Sequence, residues 1–331
     1  MAVTLKDVAE RAGVSRAAVS RAFTPGASVS AKTRSKIDAA VAELGYSPNM
    51  LARSLTTRKT QLIGLVSNNF HNPVFLQIFD LFTRGLQEHG LRPLLVNLSD
   101  EVDPARSVKL LKQYSVDGVI VASSHLPGGF ARAFKDAGVP VVHAFGRALG
   151  TPDVPVVGID NYHAGQMAAE ALIARRYRSI GFMGGPETAS TTQDRLAGFS
   201  AAVKRAGAAL SVSFAGAYSF EAGRTQMARL LRTPHAEAYF CADDVLSIGA
   251  LTAAQEAGLN VPRDLGLIGL NDMEIAGWAN INLTTIHQPF EAIVQGSIQL
   301  MQACLAEPER LPEARIYPCH IVERGTLRAL P

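Results

Sequence analysis

The stretch SRAAVSR, residues 15–21, sets two guanidinium groups five residues apart, Arg16 and Arg21, with hydroxyls beside them at Ser15 and Ser20. An arginine fork donates in parallel to guanine O6 and N7, and a serine hydroxyl donates to a phosphate oxygen. Such chemistry needs a rigid carrier, and the flanking residues supply one. Thr4 caps a first helix with Asp7 as its capping-box partner; Leu5, Val8, Ala9 and Ala12 share one face, and Gly13 ends it. Ser15 caps a second helix, with Ala18, Val19 and Ala22 inward and Arg16, Ala17, Ser20 and Arg21 outward. Ser30 caps a third, whose stripe is Ile37, Ala40, Val41 and Leu44 and whose stop is Gly45. Two helices too short to stand alone, packed on a third, make a helix-turn-helix that offers its second helix to the DNA major groove. Thr4, Ser15, Arg16, Ala17, Ser20 and Arg21 are the candidate DNA contacts.

The charge distribution points the same way. Residues 1–60 carry ten Lys/Arg against four Asp/Glu, a net +6, whereas the rest of the 331-residue chain carries 22 against 25, a net −3. A basic head on a mildly acidic body suits a polyanionic partner. The length exceeds one ordinary core, so two or three domains are expected. No long uncharged apolar run suggests a membrane span, and the N-terminus lacks the pattern of a secretory signal. Three cysteines without CxxC spacing read as reduced thiols in a cytoplasmic protein. No GxSxG, P-loop, GxGxxG or HExxH is present, so no enzyme activity, cofactor or metal is expected. A cytosolic sugar-binding protein or an enzyme on the same core is the alternative.

Pro48 breaks the chain after the third helix, and residues 49–55 have the length of two helical turns, ordered only when a partner orders them. From residue 61 the pattern changes. Apolar strands QLIGLVS, RPLLVNLS, DGVIVASS and VPVVHAFG alternate with helices near 73–89 and 104–115. A second series follows: SIGFMGG, SVSFAGAY, AEAYFCAD and LGLIGLND, with helices near 161–176, 192–206, 222–232 and 245–257. Alternation of this kind predicts two parallel sheets with helices on both faces, and a ligand cleft between the two subdomains.

The stretch TLKDVAERAGVSRAAVSRAF, continuing through VSAKTRSKIDAAVAELGYSPNMLARSL, resembles the LacI/GalR family of bacterial transcription regulators. The likeness continues in VDGVIV, VGIDNYHAG, GGPETASTTQDRLAGF, LGLIGLND and LTTIHQP. It implies an all-α helix-turn-helix headpiece (residues 1–47), a hinge helix (48–59) and an α/β effector-binding and dimerisation core (60–331). The core is implied to be two doubly wound, periplasmic-binding-protein-like subdomains, about 60–158 with 289–317 and about 159–286 with 318–329. The implied function is a repressor that binds a pseudo-palindromic operator as a homodimer under the control of a small-molecule effector, a sugar or sugar acid. The residues do not give the sign of that control; the family's sugar-responsive majority makes an inducer the expectation. The chain ends at RGTLRALP without a leucine-heptad tail, so a dimer is expected rather than a tetramer.

Position by position, the resemblance makes Arg16 and Ala17 the variable base-reading positions and Arg21 a third. Ala17 offers only apolar contact, for example to a thymine methyl. Leu55 matches the hinge leucine that wedges into the minor groove, accompanied by Asn49, Ala52 and Arg53. In the core, Arg195 of DRLAGF matches an effector-binding arginine, whose fork holds two hydroxyls or a carboxylate. Asn271 stands where relatives carry an aspartate, with Asp272 after it, and Asp243 lies at a strand end. Asn69, Phe70 and Phe75 follow the first core strand, and Phe145 and Tyr218 stand where relatives pack an effector ring. Arg147 follows VVHAFG, where an acid is found in relatives; with Arg195 and Asn271 it hints at an acidic sugar. Ala189 replaces a second arginine of purine-responsive relatives, which disfavours a purine. Trp278 suits core or interface packing at least as well as ligand stacking.

Overall fold

Thr4 and Asp7 close a reciprocal capping box at the start of helix α1 (Leu5–Ala12): Thr4 N–H donates to Asp7 Oδ2 at 2.8 Å and Asp7 N–H to Thr4 Oγ1 at 3.4 Å. The bonds from Thr4 hold the Asp7 carboxyl below its usual range. Helix α2 (Arg16–Ala22) begins where Ser15 Oγ accepts from Ala18 N–H at 3.2 Å. Helix α3 (Ala31–Leu44) is capped by Ser30 and ends at Gly45, in the left-handed conformation. Val8, Ala9, Ala12, Val19, Ala22, Ile37 and Ala40 form their buried core. Arg11 pairs with Glu43 at 2.5 Å and Phe23 meets Tyr46 at 5.8 Å between ring centroids, tying the ends of the unit together.

The protein, in a computed structural model, is described over residues 3–24, 26–47, 54, 59–68, 70–98, 103–123, 126, 129–148 and 150–331. Its contacts divide it into two compact units, Met1–Thr60 and Gln61–Pro331. Most of the expected hinge helix, including Asn49, Ala52, Arg53 and Leu55, lies outside the described residues, as does Asn69.

The second unit consists of two lobes. The first opens with β1 (Leu62–Ser67), α4 (Val74–Glu88), β2 (Arg92–Asn97), α5 (Pro104–Gln113), β3 (Gly118–Ala122), α6 (Phe130–Asp136), β4 (Val141–Ala144) and β5 (Val156–Ile159). The second holds α7 (Asn161–Ala174), β6 (Ser179–Gly184), α8 (Ser190–Ala206), β7 (Ala209–Phe214), α9 (Phe220–Leu230), β8 (Ala238–Cys241), α10 (Asp244–Glu256), β9 (Gly266–Asn271) and β10 (Thr285–His287). The chain then returns to the first lobe for α11 (Phe290–Ala306) and β11 (Ala314–Tyr317) and ends in the second with β12 (His320–Val322). Each lobe carries a six-stranded sheet, in the orders β11-β5-β4-β3-β1-β2 and β12-β10-β9-β8-β6-β7. Every described pairing is parallel except β10 with β12. The central strands β3 and β9 are buried along their whole length, which matches their apolar sequences, broken only by Asn271 at the end of β9.

Several sequence expectations shift. Four strands per lobe become six, because β5, β10, β11 and β12 are only three or four residues long and β11 alternates between exposed and half-buried. Helices α6 and α11 also escape the periodicity reading. The strand expected over 211–218 runs over 209–214 and gives way to Gly216 at φ +81°. The lobe boundaries expected at 158 and 286 each fall one residue inside a strand, β5 and β10.

Candidate functional site

In the first unit, Ser15, Arg16, Ala17, Ser20 and Arg21 are all exposed on α2, while Val19 and Ala22 on its other side are buried. Arg21 Nε lies 3.4 Å from the Ala17 carbonyl, which leans the side chain along the helix. Thr4 is exposed at the head of α1, its hydroxyl and its backbone N–H both donating to Asp7 Oδ2.

In the second unit, the carboxyl ends of the two sheets face each other across a cleft with a cavity of about 50 Å³. Its walls differ in kind. The first lobe contributes mainly apolar groups, Val74, Phe75, Ile78, Phe145, Ile159 and Phe290; the second contributes Asn161, Thr191, Arg195, Tyr218, Asp243 and Asn271. Phe145 and Phe290 meet edge to face at 6.1 Å. Phe145 (φ +61°) and Asn271 (φ +129°) hold left-handed backbone conformations at the ends of β4 and β9. A non-glycine residue there costs about 1–3 kcal/mol, a strain that clusters at functional sites.

Arg195 is the fixed cation of this cleft. It is 6 % exposed, donates from Nε to Asn161 Oδ1 at 2.8 Å and from Nη1 to the Ala242 carbonyl at 2.6 Å. The close packing of α7 on α8 sets its position: a Cβ on Gly165 would lie 2.0 Å from the Arg195 carbonyl oxygen, and one on Gly198 1.8 Å from that of Tyr162. Asp243 faces it. Its Oδ2 accepts from Asn72 Nδ2 at 3.0 Å and Asn271 Nδ2 at 2.9 Å, and its Oδ1 from Val245 N–H at 2.8 Å. Burial pushes the Asp243 carboxyl up to about 6, against the pull of those bonds and of Arg195. Burial likewise lifts Asp244 to about 7, although Thr285 Oγ1 and Met273 N–H donate to it. Tyr218 is steadied by its hydroxyl contact with Thr192 Oγ1 at 2.7 Å.

The comparisons with known proteins agree with this geometry. A model of the lacI family of bacterial regulatory proteins matches residues 4–49, and a periplasmic binding protein-like domain matches residues 169–327. The HTH-type transcriptional repressor PurR of Escherichia coli O139:H28 is 33 % identical over 332 residues, spanning 98 % of this chain and 96 % of that protein. This chain belongs to the LacI family. Among solved structures, the lac repressor dimer bound to operator and the anti-inducer ONPF superposes with a TM-score of 0.89 at 28 % identity, covering 99 % of this chain and 100 % of that one. The complex of the transcriptional regulator CelR with cellobiose superposes with a TM-score of 0.73 at 30 % identity, covering 98 % and 99 %.

In this LacI-family core the expected effector residues divide. Phe75, Phe145, Arg195, Tyr218, Asp243 and Asn271 come together on the cleft. Three others stand away from its lining. Phe70 packs against Phe79 at 4.7 Å. Asp272 turns outward, accepting from Arg324 Nη2 at 2.7 Å with His287 Nδ1 at 3.0 Å. Arg147 pairs with Asp194 of α8. Trp278 is 53 % exposed and lies outside the cleft lining, so its packing in this chain is neither core nor ligand stacking. Sequence reasoning missed Asn72, Asn161, Thr191, Gln288 and Phe290. Thr191 carried a signal, since it precedes Arg195 by four residues and shares its helical face. Asn72 carried none, because its partner is 171 positions away.

Proposed function

We propose that this LacI-family transcriptional regulator acts as a homodimeric repressor on a pseudo-palindromic operator, under the control of a sugar bound between the lobes of its core. The observation that carries the DNA side is the exposed Arg16–Arg21 face of α2, held by a capped three-helix core and flanked by the net positive charge of residues 1–60. In this reading Arg16 and Arg21 meet base edges, Ala17 meets a thymine methyl, and Ser15 and Ser20 meet phosphates. Leu55, with Asn49, Ala52 and Arg53, enters the minor groove at the operator centre. The reading places the chain in the cytoplasm and assigns it no catalytic step. Among the described residues no helix is long and apolar enough to cross a membrane.

The cleft favours a neutral sugar over a sugar acid. Arg195 and Asp243 balance each other, and Arg147, the second cation the acidic reading relied on, is taken by Asp194. Sugar hydroxyls both accept from a guanidinium and donate to a carboxylate, while the CH face of the ring suits Phe145 and Phe290. A carboxylate on the ligand would meet Asp243 as a like charge. The lac repressor structure bound to ONPF and the CelR structure bound to cellobiose support a saccharide.

Selection of duplexes from a random pool by the full-length chain should return an inverted repeat whose binding weakens steeply with salt. Recovery of asymmetric sites alone would remove the dimeric operator reading. Melting of the full chain in the presence of neutral sugars, sugar acids and purines tests the cleft. A ligand at 100 times its Kd adds about 2.7 kcal/mol, and a sugar acid that stabilises where neutral sugars do not would reverse the assignment.

A further inference from the structure

Among the described residues, an ion pair and a hydrogen bond cross the cleft from lobe to lobe. At its rim, Arg147, on the loop after β4 of the first lobe, pairs with Asp194 on α8 of the second; the two side chains are 41 % and 17 % exposed. Inside, Asn72, just before α4 of the first lobe, donates to Asp243, which caps α10 of the second. Asn72 Oδ1 in turn accepts from Val74 N–H at 3.2 Å, and Asp243 Oδ1 from Val245 N–H at 2.8 Å, so each end of the inner contact is anchored to the start of a helix. The cavity between the lobes, about 50 Å³, is lined by Asn72 and Asp243, while Arg147 and Asp194 lie beside its lining residues Phe145 and Arg195.

We infer that Arg147 and Asp194 form a clasp over the cleft mouth, backed by Asn72 and Asp243, that sets the balance between closed and open lobes without gripping the effector. The inference rests on the effector reading of the cleft given above. Each clasp residue is a chain neighbour of a cleft residue: Asp194 directly precedes Arg195, and Arg147 follows the strained Phe145 by two positions. Because Asp194 and Arg195 share α8, a parting of the lobes that opens the way to Arg195 carries Asp194 away from Arg147, so occupancy and clasp state are linked through one helix. A partly exposed ion pair is weak, yet a shift of a few-fold in a two-state equilibrium is enough to bias a regulator. It also explains why Arg147, at an effector position by sequence, stands outside the cavity lining.

Amide hydrogen exchange of the full-length chain, alone in solution, tests the clasp. The amides of residues 74–78 and 243–247 report the inner contact directly. Arg147→Glu and Asp194→Arg each place like charges face to face and should speed exchange there about three- to tenfold. The double variant, which restores opposite charges, should return to within about twofold of the parent, and raising salt should move the parent toward the single variants. Single variants that exchange like the parent, or a double variant that is not restored, would overturn the clasp. Buried strands β3 and β8 serve as the folding control; if a reversal unprotects them, Arg147→Gln and Asp194→Asn are judged by the same criterion with a smaller expected change. Operator titration of the same proteins separates the two readings. Exchange that responds as expected, with operator affinity unmoved, leaves the clasp standing and removes the effector-control reading. Unchanged exchange removes the clasp whatever the DNA affinity does.

Discussion

Arg16 and Arg195 are both proposed to meet a ligand, and the protein holds them in opposite ways. Arg16 stands exposed at the first position of α2, on a surface whose stability comes from the apolar residues beneath it. Arg195 is buried, fixed by Asn161 and the Ala242 carbonyl, beside a carboxylate that burial has pushed up to about 6. In the proposed reading the exposed arginine loses rotamer freedom only when DNA arrives, and exchanging it is expected to alter what is read without harming the fold. The buried one is already ordered, so its ligand meets a preorganised fork, and the fold depends on it. One region is open to change in specificity and the other is not.

Replacing Arg195 with Ala breaks that contrast most severely. It leaves Asn161 Oδ1 and the Ala242 carbonyl without their donor and Asp243 without its nearby cation, a change that costs on the order of 3 kcal/mol or more. Thermal melts should show the core weakened and sugar-induced stabilisation gone. A variant as stable as the parent would mean that the buried arginine is not part of what holds the second lobe together. Gly165→Ala should reach the same site from outside it. The added methyl meets the Arg195 carbonyl and forces α7 and α8 apart, costing about 1–3 kcal/mol. Sugar affinity should fall with it, whereas a drop in stability with unchanged affinity would separate helix packing from ligand binding.

Arg16→Ala sharpens the comparison from the other side. Its melting curve should match the parent within about 0.5 kcal/mol. Its operator affinity should fall by about 1–3 kcal/mol with specificity relaxed at one base pair. A uniform loss across all sequences would make Arg16 a phosphate contact instead.

A separate effect concerns pH. Asp243 and Asp244 both titrate above the ordinary 3.8 in the folded chain, because burial penalises their charged forms. The folded state therefore keeps protons that the unfolded state releases from about pH 4 upward. The stability these groups contribute is present below that and is lost as pH rises through 6 to 7, with a slope of at most about 1.4 kcal/mol per pH unit per group. Asp244→Asn should flatten this fall in a series of melts from pH 5 to 8. An equally steep fall in the variant would assign it elsewhere.

The headpiece was legible because its signals are local. Thr4 with Asp7, Ser15, Gly13 and Gly45 are caps and stops that act within a few residues, and the Val8, Val19 and Ile37 stripes follow helical spacing. The α/β character of the core was legible for a related reason: strands buried on both faces must be largely apolar, as GVIVA and the GLIGL of β9 are. The edge strands β11 and β12 were not, since they are short and exposed or half-buried and so carry no continuous apolar run.

The cleft drew on both levels. Likeness to a family brought Arg195, Asp243, Asn271, Phe145 and Tyr218 forward. Which of the charged candidates face the cavity was decided only by the packing of the two lobes. Arg147 and Asp194 are 47 positions apart, Asn72 and Asp243 171, and Asp272 and Arg324 52. No local rule links such pairs. A charge near the cleft is satisfied by whichever partner the tertiary fold brings to it first, and that partner determines whether it binds, braces or gates.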